Sequence, residues 1–398
     1  MIEYDALDPV LGLSGYASAQ PVPGGHRLYR LSAENLRRVP TESMRTMVAV
    51  PAGVQFRFRT AATEIRVRAA TFALDIGYTS FDAVWDLRSP GEDTRSVVAS
   101  TQILHLDSEA DAAVYPLAHY EDVVFAGLRP GMKEIEIAFP NAAVTDIASV
   151  TADARITAAH ADTRRLWLHH GSSISHCLEA AHPLAAWPSV AARSLDLRLR
   201  SLSFAGNALL DPFVAREIRD SPADLISLKL GINLVNADAM RLRAFVPAVH
   251  GFLDTIRDTH PATPVLVISP IYCEAVEELS GPTGMDPDTG LVRSLAPRNA
   301  DGVLTLTAIR SALSDVVRTR RDGGEAIEYL DGRHLFDRED TAAGMQPDGL
   351  HPDTDGYELM GARFASLATH AGEEADRRGA AARVMASWAP TATSAAAS

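Results

Sequence analysis

The sequence predicts a β domain followed by an α/β domain, and three observations carry that expectation. Between residues 26 and 157 apolar residues recur with period two, and turn signals interrupt them at short spacing. Beyond residue 165, apolar runs alternate with stretches of helical spacing. The first of these later runs leads directly into a small-residue turn, Gly171-Ser-Ser-Ile-Ser-His-Cys177. Period two sends successive side chains to opposite faces of a strand, whereas apolar residues three and four apart line one face of a helix.

In chain order, residues 1–25 are Pro/Gly-rich and read as irregular. Val54, Phe56 and Phe58 then share one strand face, with Gln55, Arg57 and Arg59 on the other, and residues 64–69 and 134–139 alternate likewise. Pro51-Ala-Gly53, Ser89-Pro-Gly91 and Arg129-Pro-Gly131 supply the turns. With no helical periodicity between them, these strands predict an all-β, antiparallel, jelly-roll-like sandwich over residues 1–160. Residues 158–165 suit a linker.

A second domain is expected over residues 161–376. Apolar runs at 166–168, 199–204, 225–230, 265–269 and 326–330 read as buried parallel strands. Asp238 is a candidate N-cap for a helix striped by Leu242, Phe245, Val246, Val249, Leu253 and Ile256, with Pro247 as a candidate kink. A helix over about residues 353–374 closes the domain. Such alternation predicts a parallel sheet with helices on both faces. Residues 271–302, rich in Gly, Pro, Asp and Glu, are long for a simple connection and form a candidate lid. The Ala/Ser/Thr tail, residues 377–398, is low in complexity and expected to be disordered.

Composition excludes some partners. Hydrophobic residues at 46% and charged residues at 22% are ordinary for a globular protein, so a sizeable core is expected. A net charge of −14 argues against a nucleic-acid partner, whose phosphates call for clustered Lys and Arg. Cys177 and Cys273 lie far apart and read as free thiols in a reducing cytoplasm. The first residues carry acids where a signal peptide needs a basic region, and no run reaches the ~18 apolar residues of a membrane span. A cytoplasmic protein with no membrane partner is the expectation.

The chemistry starts at Ser173. A serine hydroxyl is a weak nucleophile unless a base takes its proton and donors receive the developing oxyanion. At a strand-to-helix turn it gains the unpaired N–H groups of the helix start, although serine is equally a routine N-cap residue. In Asp348-Gly-Leu-His-Pro352, Asp348 can accept from one ring nitrogen of His351 and leave the other free for the serine proton. Gly206, in Ser203-Phe-Ala-Gly-Asn207, can bring its N–H close to a substrate. Asn233, in Lys229-Leu-Gly-Ile-Asn233, can donate from its amide. The Ser173, Gly206 and Asn233 blocks each follow a predicted strand, where open α/β sheets bind ligands, and the Asp348–His351 loop closes the set.

These four blocks, in this order, resemble the SGNH (GDSL-type) hydrolases over about residues 164–373. The resemblance implies a flavodoxin-like three-layer α/β/α domain, with Ser173 as nucleophile, His351 as base and Asp348 as its partner. It implies an oxyanion hole of Ser173, Gly206 and Asn233, and neither metal nor cofactor. Ser172 stands where the family usually has Asp, Cys177 where Gly often follows, and Leu234 where Asp follows the Asn. A β-sandwich before such a domain looks like some carbohydrate esterases and like a branch of acyltransferases that tailor polyketides. The wording around Ser173 is closer to that second branch. The expected activity is hydrolysis of a small acyl ester, acetyl included, through an acyl-enzyme, on a small-molecule or carbohydrate substrate. Acyl transfer to an alcohol by the same residues is the alternative, and a non-catalytic binding module the third.

Other candidates compete. His169, His170, His176 and His182 flank Ser173 but lack a carboxylate or Cys at tetrahedral zinc spacing, and His176 could line a pocket. Asp211 and Asp224 read as caps or solvated acids. Arg293 and Arg298 could meet an anion if the 271–302 segment closes. Tyr78, Phe81, Trp85 and Tyr120 could form a sugar-stacking face, although such aromatics are more often core.

Overall fold

The computed structural model describes residues 1–75, 81–107, 110–297, 300–378 and 384–390. The chain divides into two compact units: residues 1–163 with 177–185, and residues 164–176 with 186–398. Cys177–Ala185, which the sequence places within the second domain, therefore belongs to the first unit. Two groups of the β domain hold it there. Asp86, fully buried, accepts from Leu184 N–H at 3.1 Å and pairs with His182 Nδ1 at 2.7 Å, and the Asn141 amide donates to the Cys177 carbonyl.

The first unit contains two sheets. Its opening strands are β1 (Ile2–Asp5), β2 (Ser18–Val22) and β3 (Gly25–Tyr29), followed by helices α1 (Ala33–Leu36) and α2 (Glu42–Ala49). Next come β4 (Gln55–Thr60), β5 (Glu64–Asp75), β6 (Val84–Arg88), β7 (Arg95–Val98) and β8 (Gln102–Asp107). The set ends with β9 (Ala112–Val114), β10 (Glu121–Ala126), β11 (Lys133–Ala138), β12 (Ala143–Ala152) and β13 (Ile156–Ala158). One sheet runs β2-β3-β12-β5-β8-β9, with β1 on β12 and β10 on β5, and the other runs β13-β4-β11-β6-β7.

The period-two residues explain the core. Phe56, Phe58, Trp85, Leu87, Ile135 and Ile137 of the second sheet cluster with Ile65, Val67, Val123, Phe125, Ile147 and Val150 of the first, each at most 5% exposed. Three expectations are corrected here. Residues 1–25 are not irregular, because β1 pairs with β12 and β2 with β3. A helix, α2, interrupts the strands; Thr41 caps it by accepting from Met44 N–H, and its buried Met44, Met47 and Val48 fall at helical spacing. The pairing is not purely antiparallel either. After β5 the chain forms β6 and β7 in the other sheet, then returns as β8 parallel to β5.

The second unit is built on a five-stranded parallel sheet: β14 (Leu166–Gly171), β15 (Arg198–Ser203), β16 (Leu225–Lys229), β17 (Val265–Ile268) and, later, β20 (Ile327–Leu330). The order β15-β14-β16-β17-β20 puts the first strand inside the second, the doubly wound pattern whose ligand crevice lies where the order reverses. Helices α3 (Ser173–His176), α4 (Trp187–Ser194), α5 (Pro212–Arg219), α6 (Ile232–Asn236) and α7 (Leu242–Arg257) precede a hairpin of β18 (Thr283–Met285) and β19 (Val292–Ser294). Helices α8 (Leu306–Asp322), α9 (Arg338–Ala342) and α10 (Thr354–Arg378) complete it. Along β14, Trp167 stacks on Phe364 of α10 at 5.1 Å, whereas His170 stacks on Phe252 of α7 at 5.8 Å. Odd and even residues of a strand face opposite ways, so both faces of the sheet are covered by helices.

Two local expectations change. Asp238 is not the cap of α7. It has a left-handed φ of 46° beyond the end of α6, and its carboxylate holds Arg241, the residue at the cap position, at 2.6 Å. The helix runs unbroken through Pro247. Nor is the whole 377–398 tail without structure. Trp388, in a 3-10 turn at Val384–Trp388, is fully buried with Phe364 at its edge, and Arg165 donates to the Ala389 carbonyl at 2.7 Å. An indole of that size favours burial despite the polar, small-residue sequence around it. Among the described residues no helix is long and apolar enough to cross a membrane.

Candidate active site

Strand β14 ends at Gly171, where a Cβ would lie 2.5 Å from Ser175 Oγ. The chain turns at once into α3, whose first residue is Ser173. Ser172 precedes the helix in capping position. Its Oγ accepts from Ile174 N–H at 3.3 Å and its carbonyl accepts from Ser175 and His176 N–H at 3.0 and 2.9 Å. Ser172 thus does in this turn what a short acid does at a helix start, which gives the departure from the usual Asp a physical basis. Cys177, the other departure, has φ 59°, the left-handed conformation that glycine tolerates best.

Ser173 Oγ lies 2.9 Å from His351 Nε2. His351 Nδ1 lies 2.7 Å from Asp348 Oδ2, and Asp348 Oδ1 accepts from the Leu350 and His351 N–H groups at 2.8 and 2.6 Å. Gly349 makes this turn possible, with φ 76° between the acid and the base. Burial by itself would raise the Asp348 pKa, but its bond to His351, that ring's charge and the two backbone donors hold it below the ordinary carboxylate range. An ionised Asp348 fixes the imidazole with Nδ1–H toward the acid and Nε2 toward the hydroxyl. The loop is braced from behind. Buried Gln346 donates to the Leu350 carbonyl at 2.8 Å, and Cys273 Sγ donates to the Gly349 carbonyl at 3.2 Å. Burial pushes that thiol up to about 12, so it acts as a neutral donor rather than a nucleophile.

Gly206 and Asn233 follow β15 and β16, the two strands that flank β14. The loops are knitted together: His176 Nδ1 accepts from Ala205 N–H at 3.2 Å, and Asn233 Oδ1 accepts from Ala208 N–H at 3.0 Å. The latter bond turns the Asn233 NH2 group away from Ala208. Asn233 is 4% exposed, on a helix preceded by Gly231 at φ 124°, where a Cβ would meet Ile309 at 2.6 Å. Gly206, at φ 70°, has no heavy atom of the described residues within 4 Å of where a Cβ would sit, which leaves space beside its backbone among them.

The remaining candidates disperse. His169 is buried with Nδ1 2.6 Å from Ser227 Oγ, and burial, then the charges of His170 and Lys229, hold it well below the ordinary imidazole range. His170 donates from Nδ1 to the Leu202 carbonyl at 2.7 Å, and His182 pairs with Asp86 in the first unit. Among the described residues no His/Cys/Asp/Glu cluster is arranged to hold a metal ion. Asp224 accepts from Leu166 N–H at 2.7 Å. Asp211 heads α5 without a side-chain cap bond, and burial pushes it up to about 6. Arg293 pairs with Asp286 at 3.1 Å; Arg298 and Tyr78 lie outside the described residues. Trp85 is core, 4.5 Å from Phe139, while Tyr120 donates to the Pro23 carbonyl at 3.1 Å, so these two do not make one stacking face. Asn141, Ala208 and Gln346 went unnoticed at the sequence level, since a hydrogen bond to a distant backbone group leaves no local pattern.

Residues 170–359 match the model of the GDSL-like Lipase/Acylhydrolase family. This stretch is a GDSL-like lipase/acylhydrolase domain. Across nearly the whole chain, the structure is similar to a salicylyl-acyltransferase, SsfX3, from a tetracycline biosynthetic pathway: 27% identity, 96% of this chain and 98% of that one, TM-score 0.75. A family two carbohydrate esterase from Clostridium thermocellum, in complex with cellohexaose, is similar at 13% identity over 92% and 99% of the two chains, TM-score 0.55. An acetyl xylan esterase from the rumen bacterium Butyrivibrio proteoclasticus follows at 10% identity over 95% and 98%, TM-score 0.51. These last two likenesses are of fold alone. No curated protein matches the chain by sequence. The GDSL-like domain makes the chain an enzyme of the ester hydrolase or acyltransferase type.

Proposed function

We propose that the chain is a serine esterase that hydrolyses a small acyl ester, acetyl included, through an acyl-enzyme. The observation that carries this reading is the continuous chain of contacts Ser173 Oγ–His351 Nε2 and His351 Nδ1–Asp348 Oδ2, at 2.9 and 2.7 Å. Ser173 attacks the ester carbonyl while His351 takes its proton, and Asp348 stabilises the imidazolium. The oxyanion is received by the N–H groups of Ser173 and Gly206 and by the Asn233 amide. His351 then protonates the departing alcohol, and water repeats the sequence on the acyl-enzyme. The first domain, residues 1–160, is read as a jelly-roll-like β-sandwich and the second, 161–376, as a flavodoxin-like three-layer sandwich.

One observation favours a second reading, in which an alcohol rather than water accepts the acyl group: the full-length likeness to an acyltransferase. Intact-mass measurement after treatment with a fluorophosphonate and with p-nitrophenyl acetate tests the common mechanism. One adduct on the wild type and none on Ser173→Ala is expected, with turnover falling by roughly 1000-fold or more. Equal labelling of both proteins excludes Ser173 as the nucleophile. Product analysis with added alcohols then separates transfer from hydrolysis.

A further inference from the structure

The hairpin of β18 and β19 is not used by the mechanism above, yet its two ends are fixed on the two sides of the site. At its base Gly281 is pressed onto α6, where a Cβ would fall 1.8 Å from the Val235 carbonyl oxygen; α6 carries Asn233. At its far end Val292 N–H donates to the Asp348 carbonyl at 2.8 Å, and Leu291 Cδ2 stands 3.9 Å from the Cβ position of Gly349. The hairpin therefore runs from the helix of the amide donor to the loop of the acid and base.

Its surface carries large apolar side chains of a kind the rest of the unit keeps covered. Among the described residues of the second unit, the large apolar side chains that stand exposed are Leu279, Leu291 and Leu295, at 47%, 45% and 49%, and all three belong to this segment. One exposed leucine is unremarkable on any surface, whereas several gathered beside a reacting group mark a contact surface. Period two places Leu291, Arg293 and Leu295 on one face of β19 and its continuations. Arg293 is answered there by Asp286 at 3.1 Å, and Gly284 opposite has no side chain, its place covered by Leu295 at 2.8 Å from a would-be Cβ. The face therefore presents leucines on either side of an ion pair that cancels its own charge.

We propose that this hairpin is the wall of the alcohol side of the site and that the ester taken carries an apolar, ring-sized alcohol. The inference rests on the Ser173–His351 reading. After taking the serine proton, His351 Nε2 gives it to the departing oxygen, so that oxygen must come within hydrogen-bond reach of His351. Whatever is attached to it meets the residues bordering the 348–351 loop. In the reverse direction an acceptor alcohol enters by the same route. A sugar alcohol needs polar partners for its hydroxyls and gains nothing from three leucines, whereas an aromatic or alicyclic ring buries against them.

Benzyl acetate and ethyl acetate test this, because they share an acyl group and release similarly basic alkoxides. Wild type is expected to favour benzyl acetate in kcat/KM. The Leu291→Ser/Leu295→Ser variant, changed only at exposed positions, should lose roughly fivefold to tenfold of that preference, with the larger fall in kcat/KM on benzyl acetate. Leu291→Phe should retain or increase the preference. A wild type without preference, or one whose preference survives both serines, overturns the proposal while leaving Ser173 chemistry intact. Failure to turn over either ester, together with no fluorophosphonate adduct at Ser173, overturns the reading of the site and this proposal with it.

Discussion

The antiparallel sheets of the first unit and the parallel sheet of the second use similar strands to different ends. In an antiparallel sheet successive strands finish at opposite edges, so their loops scatter. In the parallel sheet every strand finishes at the same edge, and the loops that carry Ser173, Gly206 and Asn233 leave the adjacent strands β14, β15 and β16 at that edge. The chain can then return 178 residues later and set His351 against Ser173. Buried polar groups of the first unit are instead paired with one another: Asp146, 2% exposed, grips Arg27 with both oxygens at 2.7 and 2.8 Å. Chemistry collects where strand direction makes ends coincide, and stability is distributed where it does not.

Substitutions test that contrast. The largest effect is expected at the parallel edge: Asp348→Asn should lower kcat by roughly 1000- to 10,000-fold, because an amide stabilises the wrong imidazole tautomer. Thermal melting checks that the fold survives. Asn233→Ala should cost about 100- to 1000-fold in kcat, the effect of deleting one oxyanion donor, with KM nearly unchanged. Asp146→Asn should behave oppositely. Leaving Arg27 without its carboxylate should cost about 3 kcal/mol of stability in denaturant titrations, while kcat of the folded protein stays at the wild-type value. Lost turnover in a fully folded Asp146→Asn protein would remove the distinction between the two sheets.

The smallest effect concerns Asp211, at the head of α5 after the Gly206 loop. Its native pKa of about 6 lies above that of an unfolded carboxylate, so between those values the folded chain holds the extra proton. Stability from this group is therefore present at low pH and lost as pH rises through 6. Asp211→Asn should raise stability at pH 8 by ~1 kcal/mol, after discounting for its partial exposure, and change little at pH 4. A shift of equal size at both pH values would assign the gain to capping instead of burial.

Legibility from sequence followed the range of the forces involved. Period two at 54–59, 64–69 and 134–139 was sufficient for β4, β5 and β11, because the alternation is a local response to one buried face. The helix α2 was hidden in the same region, since eight residues give little more than two turns of periodicity. Trp388 was submerged in a tail of Ala, Ser and Thr, where composition outweighed the one residue that packs. At the site, Ser173 and the Asp348–His351 pair were visible as blocks with a chemical logic. The hairpin at 283–294 was visible only as a long irregular segment.

By itself the sequence determined which residues can do chemistry, because a hydroxyl, an imidazole, a carboxylate and an amide keep their reactivity wherever they stand. It also marked the strand-to-helix turn, since an apolar run leads straight into Gly171 and the small residues after it. Tertiary structure decided the distances: 2.9 Å from Ser173 to His351, the tie between Ala208 and Asn233, and the docking of Val292 on the Asp348 loop. It also decided that Cys177–Ala185 joins the first unit, through Asp86 and Asn141. The reason is physical. Side-chain chemistry and turn sterics act within a few residues, whereas the meeting of groups far apart in the chain is set by strand direction and packing, which no local stretch encodes.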